Sequence, residues 1–365
     1  MALLFTESFG PYATLTDFAT YGITHTNAYS TDSIDSTGGY NSAPAYKVVA
    51  TNTDLYSTLV YPLGFAPASN ELRFGFWWKI TAGALGSTVN YAGFPSTICF
   101  LDSTLTKWMA LRLSSTGVVG WANLKTGNNA ACDYVGSGAT IADGQHHWVE
   151  GRVILGGASN GTVQVWVDGV LEINQTSVTN DGGTGLTCTS MTRVQMGAFM
   201  HTSSATQWLS HVMVWDTGGS AFTGYLGPSR IEYLTPNAAG SNSALTPTSG
   251  ANYTNVNEQV ANLDTNYVEG ATSGLIDTYN YTALAATPAS IKAVMVKSFA
   301  KNADVGTRNF RAKCLSSATY ADGADQALSV AYKTFSEIYY TDPATSAAWT
   351  ASGIAAAEFG VEVRT

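Results

Sequence analysis

Glycosidic-bond hydrolysis needs two carboxyl groups flanking the bond, about 5–5.5 Å apart when the second acts as nucleophile. In this chain of 365 residues the segment best suited to hold such a pair runs from Gly144 to Leu155, followed by Gly161 to Leu171. Glu150 stands alone on its strand there, and Asp168 and Glu172 straddle a turn rather than sharing one strand face. No acid and nucleophile pair results. His146 and His147 are adjacent, and neighbouring side chains of a strand point to opposite faces, so the two cannot chelate one ion together. His25, His201 and His211 have no Cys, Asp or His at ligand spacing. A Gly-rich phosphate loop is missing, which removes the usual signal for a nucleotide site.

Aromatic side chains are the other candidates for ligand contact. Eight of the nine tryptophans lie between Trp77 and Trp215. Most must be core, because a tryptophan buries more apolar area than any other side chain. Trp166 sits between Val165 and Val167 and so opposes the valine face of its strand, while Trp77 and Trp78 must face opposite sides of theirs. Trp166 and Trp78 are therefore the candidate ligand-binding residues.

The elements that would position these residues are short strands between turns. Glu71 to Ile80 is rich in aromatics, with Leu72, Phe74 and Phe76 on one face. Trp108 to Leu113 and Val118 to Leu124 read as a hairpin about a turn at Ser115 to Gly117. Val163, Val165 and Val167 alternate with Gln164 and Trp166, and Asp168-Gly169 supplies the positive φ of a two-residue turn. Met191 to Gly197 and Trp208 to Trp215 add two more strands. Pro228 to Pro236 closes this domain (1–235), and 236–250, made of Asn, Ala, Gly, Ser, Thr and Pro, reads as a linker. Beyond it, Ile291 to Phe299, Arg308 to Leu315, Leu328 to Tyr332 and Phe359 to Val363 predict a second, smaller β-sandwich over 251–365, with one helical turn at Ala351 to Ala357.

Composition agrees with an all-β chain. Charged residues make up 12%, about half the usual share, while Thr, Ser, Asn, Gly and Tyr abound. The net charge of −9 and the lack of any basic run argue against nucleic acid. No stretch approaches the ~20 apolar residues that span a bilayer, and the first residues, Met1 to Ser8, lack a signal peptide pattern. The expectation is a soluble chain made in a cytoplasm, outside membranes. Four distant cysteines without a Cys-x-x-Cys predict free thiols.

In order along the chain, His147-Trp148-Val149, Val163 to Gly169, Met196-Gly197 and His211 to Asp216 resemble the motifs of the laminin-G-like, concanavalin A-like family. The resemblance implies an N-terminal jelly-roll sandwich of two antiparallel sheets. It also implies a calcium ion at a loop rim, for which Asp181, opening the Gly-rich run to Gly185, and Asp133 are the available oxygens; the competing reading is a plain turn. No other cofactor is indicated. Glycoside hydrolases of this fold carry Glu-x-Asp-x-x-Glu on one strand, and that spacing is absent here.

A second resemblance spans nearly the whole chain. Gly227 to Pro236, Asp264 to Val268, Asp277 to Tyr279 and Asp342 to Thr350 are similar to a group of tailed-bacteriophage virion proteins. It implies a non-enzymatic structural protein of the particle, either a capsid decoration or a tail-associated component. Its partners would be other virion proteins and copies of itself, a trimer being the first expectation. The alternative is a carbohydrate-binding adhesion module for host glycans, and the third is a glycoside hydrolase.

Overall fold

The computed structural model describes residues 3–28, 31–50, 55–63, 67–81, 97–114, 116–126, 132–138, 140–200, 205–218, 222, 224–304 and 306–364. Ser115 and His201 lie outside this set. The chain forms two compact units, Met1–Ile231 and Glu232–Thr365. Both are almost entirely antiparallel β-structure, and no helix among the described residues is long and apolar enough to cross a membrane.

The first unit is a jelly-roll sandwich. One sheet runs in the spatial order Val170–Val178, Gly161–Val167, His146–Ile154, Glu71–Ile80, Ala205–Asp216, Ala45–Ala50, Thr31–Asp35, with Leu3–Glu7 also paired to Ala205–Asp216. The other runs Tyr134–Val135, Val119–Thr126, Lys107–Leu113, Ile98–Asp102, Met191–Met200, Leu55–Pro62, Thr24–Ala28. Period two in Glu71–Ile80 turns Leu72, Phe74, Phe76, Trp78 and Ile80 into the space between the sheets, where Ile98, Phe100, Met109, Leu111, Trp121, Val194 and Met196 meet them. Phe74 is the hub. Its ring centroid lies 5.5 Å from that of Phe100 and 6.0 Å from that of Trp121 on the facing sheet. Gly151, opposite Phe74 in register, leaves room for the ring: a Cβ there would come within 2.2 Å of it.

The hairpin from Gly161 to Val178 turns as the sequence indicates. Asp168 at φ 49° and Gly169 at φ 87° form the two-residue bend, with Val167 paired to Val170. The register then slips by one residue between Val165 and Trp166, so that Trp166 faces Leu171 while Gln164 faces Asn174.

The second unit has a sheet in the order Pro236–Ser243, Ile276–Tyr281, Glu358–Arg364, Asn309–Ser316, Thr319–Asp322, with Gln326–Ala327 also on Asn309–Ser316. Two further pairs are Thr246–Pro247 with Val268–Glu269, and Val294–Ala300 with Lys333–Tyr339. Cys314, Tyr339, Trp349, Ile354 and Phe359 form its core, and the helical turn is present at Ala351–Ala356. Two expectations are corrected here. The stretch 236–250 is not a linker, because Pro236–Ser243 is an edge strand paired with Ile276–Tyr281. Leu328 to Tyr332 is irregular, and the strand in that region is Lys333–Tyr339.

Candidate functional site

Alternation that sends one face of the larger sheet inward leaves the other side to Arg73, Trp77, Trp148, Glu150, Arg152, Gln164 and Trp166. Much of this outer face is closed by the segment that ends the unit. Phe222 packs on Trp215 and Tyr225 on Trp166, with ring centroids 6.3 and 5.7 Å apart. Leu226 and Gly227 donate their backbone N–H groups to Glu150, at 2.9 and 3.1 Å. Trp77 Nε1 donates to Ser229 O at 2.8 Å, and Ile231 N donates to His211 Nδ1 at 3.0 Å. Burial pushes His211 down to about 4, so its ring is neutral and able to accept that bond. Tyr40 lies flat on Trp77, centroids 3.4 Å apart. Trp77, Trp148 and Trp215 are buried under this strap.

Glu150 is the electrostatic centre of the closed part. Only 1% of it is exposed, and burial pushes its carboxyl up to about 7 against the pull of the Leu226, Trp148 and Gly227 N–H groups and the charge of Arg73. At the hairpin end, His147 sits between two carboxylates, with Nδ1 2.7 Å from Asp168 Oδ2 and Nε2 3.1 Å from Asp143 Oδ1. Burial works against its charged form, but these two partners outweigh it and raise its pKa. Asp168 Oδ1 also accepts from Trp148 N at 2.8 Å, which ties the turn to the neighbouring strand.

The open part lies along the hairpin. Trp166 is half-buried, Tyr225 is 37% exposed, and Leu171, opposite Trp166, is 38% exposed. In the next row of the same face a polar ladder spans four strands. Glu71 Oε2 receives Arg152 Nη2 at 2.9 Å, Arg152 Nη1 donates to Gln164 Oε1 at 3.0 Å, and Gln164 Nε2 donates to Asn174 Oδ1 at 2.9 Å. Glu71 also holds Arg73, Nε to Oε1 at 2.6 Å. Its ionised form is favoured by both arginines, which overcome the opposing effect of burial. The result is a rigid aromatic surface bordered by planar polar groups.

Of the residues singled out from sequence, only Trp166 belongs to this surface. Trp78 is corrected: it is 1% exposed, packs in the core, and spends its Nε1 on Gln207 Oε1 at 3.1 Å. The calcium ligands are corrected too. Asp181 is buried and caps its own loop, accepting from Gly183 N and Gly185 N at 3.0 Å each. Asp133 holds Lys125 Nζ at 2.8 Å and Asn123 N at 2.8 Å. No group of three or more His, Cys, Asp or Glu able to hold a metal occurs among the described residues. His25 does find an acidic partner, Asp32, at 2.6 Å, seven residues away and on the other sheet. The four cysteines are free thiols. Sequence reasoning missed Tyr225, Arg152 and Asn174; the outward period of Gln164 and Trp166 was the one signal that pointed toward them.

No family model matches the sequence, and no curated protein does. Several solved structures are similar to part of the chain. Endo-β-1,4-glucuronan lyase from the fungus Trichoderma reesei is 14% identical, over 53% of this chain and 90% of that one, with a TM-score of 0.38. The marine PL-14 alginate lyase from Aplysia kurodai is 7% identical, over 59% and 100%, with a TM-score of 0.43. A carbohydrate esterase from the Shiga toxin-encoding bacteriophage phi24B is 14% identical, over 53% and 88%, with a TM-score of 0.34. At these values the likeness is one of fold. The expectation that the chain is not an enzyme is corrected: the similar structures are mostly polysaccharide lyases, and a missing Glu-x-Asp-x-x-Glu pair removes one hydrolytic mechanism and no other catalysis.

Proposed function

We propose that the first unit binds carbohydrate on the open surface along the 161–178 hairpin. The observation that carries this reading is the outward pair of Trp166 and Tyr225 set beside the Arg152, Gln164 and Asn174 row. A pyranose has an apolar C–H face and an equatorial belt of hydroxyls, so it needs a flat apolar platform with planar donors and acceptors at its edge. Trp166 and the polar row are held on paired strands, where they cost little ordering on binding, and Tyr225 comes from the segment that closes over the sheet. The test is a glycan array probed with the full chain. Reproducible binding should fall at least tenfold in Trp166→Ala, with the thermal midpoint unchanged because Trp166 lies outside the core. Failure of the intact chain to bind any glycan, or binding indifferent to Trp166→Ala, would reject the proposal. Chromatography of the same oligosaccharides after incubation reads whether the bound sugar is also cut.

The particle setting belongs to the proposal as well. The motifs from Gly227 to Pro236 and from Asp342 to Thr350 support a virion component, assembled in the host cytoplasm as a homo-oligomer beside other virion proteins. Antibody against the chain should decorate intact particles in electron micrographs. Label found only on free protein would withdraw this setting and leave the sugar-binding surface standing.

A further inference from the structure

The carbohydrate reading leaves the choice of sugar open, and the polarity of the ladder narrows it. Arginine has donors only. With Arg152 held by Glu71, Gln164 must turn its carbonyl oxygen toward Arg152, and its amide nitrogen must then face Asn174. Asn174 must accept with Oδ1, which leaves its Nδ2 at the outer end of the ladder on an exposed residue. A ligand that meets this end has to present an acceptor.

Anions are acceptors too, but a carboxylate carries no apolar group. Arg152 and Arg73 share the single carboxylate of Glu71, so one positive charge stays unbalanced there, on groups whose donors are engaged with Glu71. On the other side of Trp166, two acidic residues neighbour Tyr225. Glu150 accepts from Leu226 N, the next residue in the chain, and the Tyr225 hydroxyl lies 3.7 Å from the Cβ position of Gly169, which follows Asp168. Beside Trp166 the surface is aliphatic at Leu171, opposite it in register and 38% exposed. The complement is an acceptor that carries a small apolar group.

We propose, on the basis of the carbohydrate reading above, that this surface selects sugars bearing an N-acetyl group, whose carbonyl accepts from Asn174 Nδ2 while its methyl packs on Leu171 beside Trp166. An acetamido group combines both properties without charge. A de-acetylated amino sugar loses the acceptor and the methyl together, and a uronate offers an acceptor without a methyl.

The experiment is calorimetric titration of the full chain with four oligosaccharides of equal length: N-acetylated chito-oligosaccharide, its de-N-acetylated counterpart, a neutral β-glucan and a polyglucuronate. The acetylated sugar should bind at least tenfold more tightly than the others. Asn174→Asp keeps shape and the bond from Gln164 but removes the outer donor, and should shrink that preference to within threefold. Equal or tighter binding of the glucan or the uronate by the parent chain, or a preference that survives Asn174→Asp, overturns the inference. Binding that depends on Trp166 but shows no acetyl preference removes this inference alone, whereas no binding of any sugar removes the carbohydrate reading with it.

Discussion

The first unit should lose about 3 kcal/mol of stability as pH rises from about 4.5 to about 7, and Glu150→Gln should abolish that loss. The carboxyl of Glu150 has an ordinary value of 4.5, and burial pushes it up to about 7 in the folded chain. Between those values the folded state holds a proton that the unfolded chain has released, so raising the pH favours unfolding. The stabilising share is fully present below the unfolded pKa and gone above the folded one. A shift of this size, at about 1.4 kcal/mol per pH unit, gives the stated magnitude. The slope survives in the parent chain because the carboxylate cannot move to water: Leu226, Gly227 and Trp148 fix it from three directions. Glutamine keeps an acceptor oxygen for these donors and carries no charge. His147, raised above its ordinary value, adds a loss of the same sign at higher pH, so the difference between parent and variant is the quantity to read. Urea unfolding at several pH values, followed by tryptophan fluorescence, measures it. Parallel slopes in the two proteins would refute the assignment.

The second unit should respond with the opposite sign. Glu362 is 5% exposed and accepts from Arg311 Nη2 at 2.7 Å and Arg364 Nη1 at 3.0 Å, with Lys313 Nζ 2.9 Å away. Burial alone would raise its pKa, but Lys313 and Arg311, through hydrogen bonds and charge, hold it at about 2, against an ordinary 4.5. Its contribution is therefore present above pH 4.5 and lost as pH falls toward 2, up to about 3 kcal/mol in all. Glu362→Gln should cost a similar amount at pH 7, since Lys313, itself 4% exposed, then relies on Asp322 alone for opposite charge. Amide exchange on Glu358–Arg364 and Asn309–Ser316 reads this unit separately from the first. Protection in those strands that is equal in parent and variant at pH 7 would show that the network adds nothing.

Both pH responses depend on partners that a linear reading cannot supply. Glu150 reads as a solitary carboxylate on a strand, and it is solitary among acids. What raises its pKa is the strap that arrives 76 residues later to bury it. Trp77 and Trp78 show the same limit: alternation correctly assigns them to opposite faces, yet neither is open, because the core takes Trp78 while Tyr40 and Ser229 cover Trp77.

The stretch 236–250 was legible as small and polar but not as a strand. Small residues there serve close approach: a Cβ on Gly240 would lie 2.6 Å from Thr278 O on the paired strand. Composition alone does not separate that from flexibility. Asn174 illustrates a subtler case. Counting back from the Asp168-Gly169 bend pairs Gln164 with Ile173, whereas the bulge at Val165 and Trp166 moves Asn174 into that place. One inserted residue decides which side chain ends the ladder.

By itself, the order of residues determined the all-β class, the alternating core face of Glu71–Ile80 and the bend at Asp168-Gly169. Each depends on interactions within a few residues: period-two exposure and a φ that glycine tolerates. Tertiary structure alone decided which outward aromatic stays open, which carboxyl is shut away from water and which amide faces out. Those outcomes depend on segments distant in the chain closing over a sheet, and the free energy of that closure is spread over many small contacts that no local pattern records.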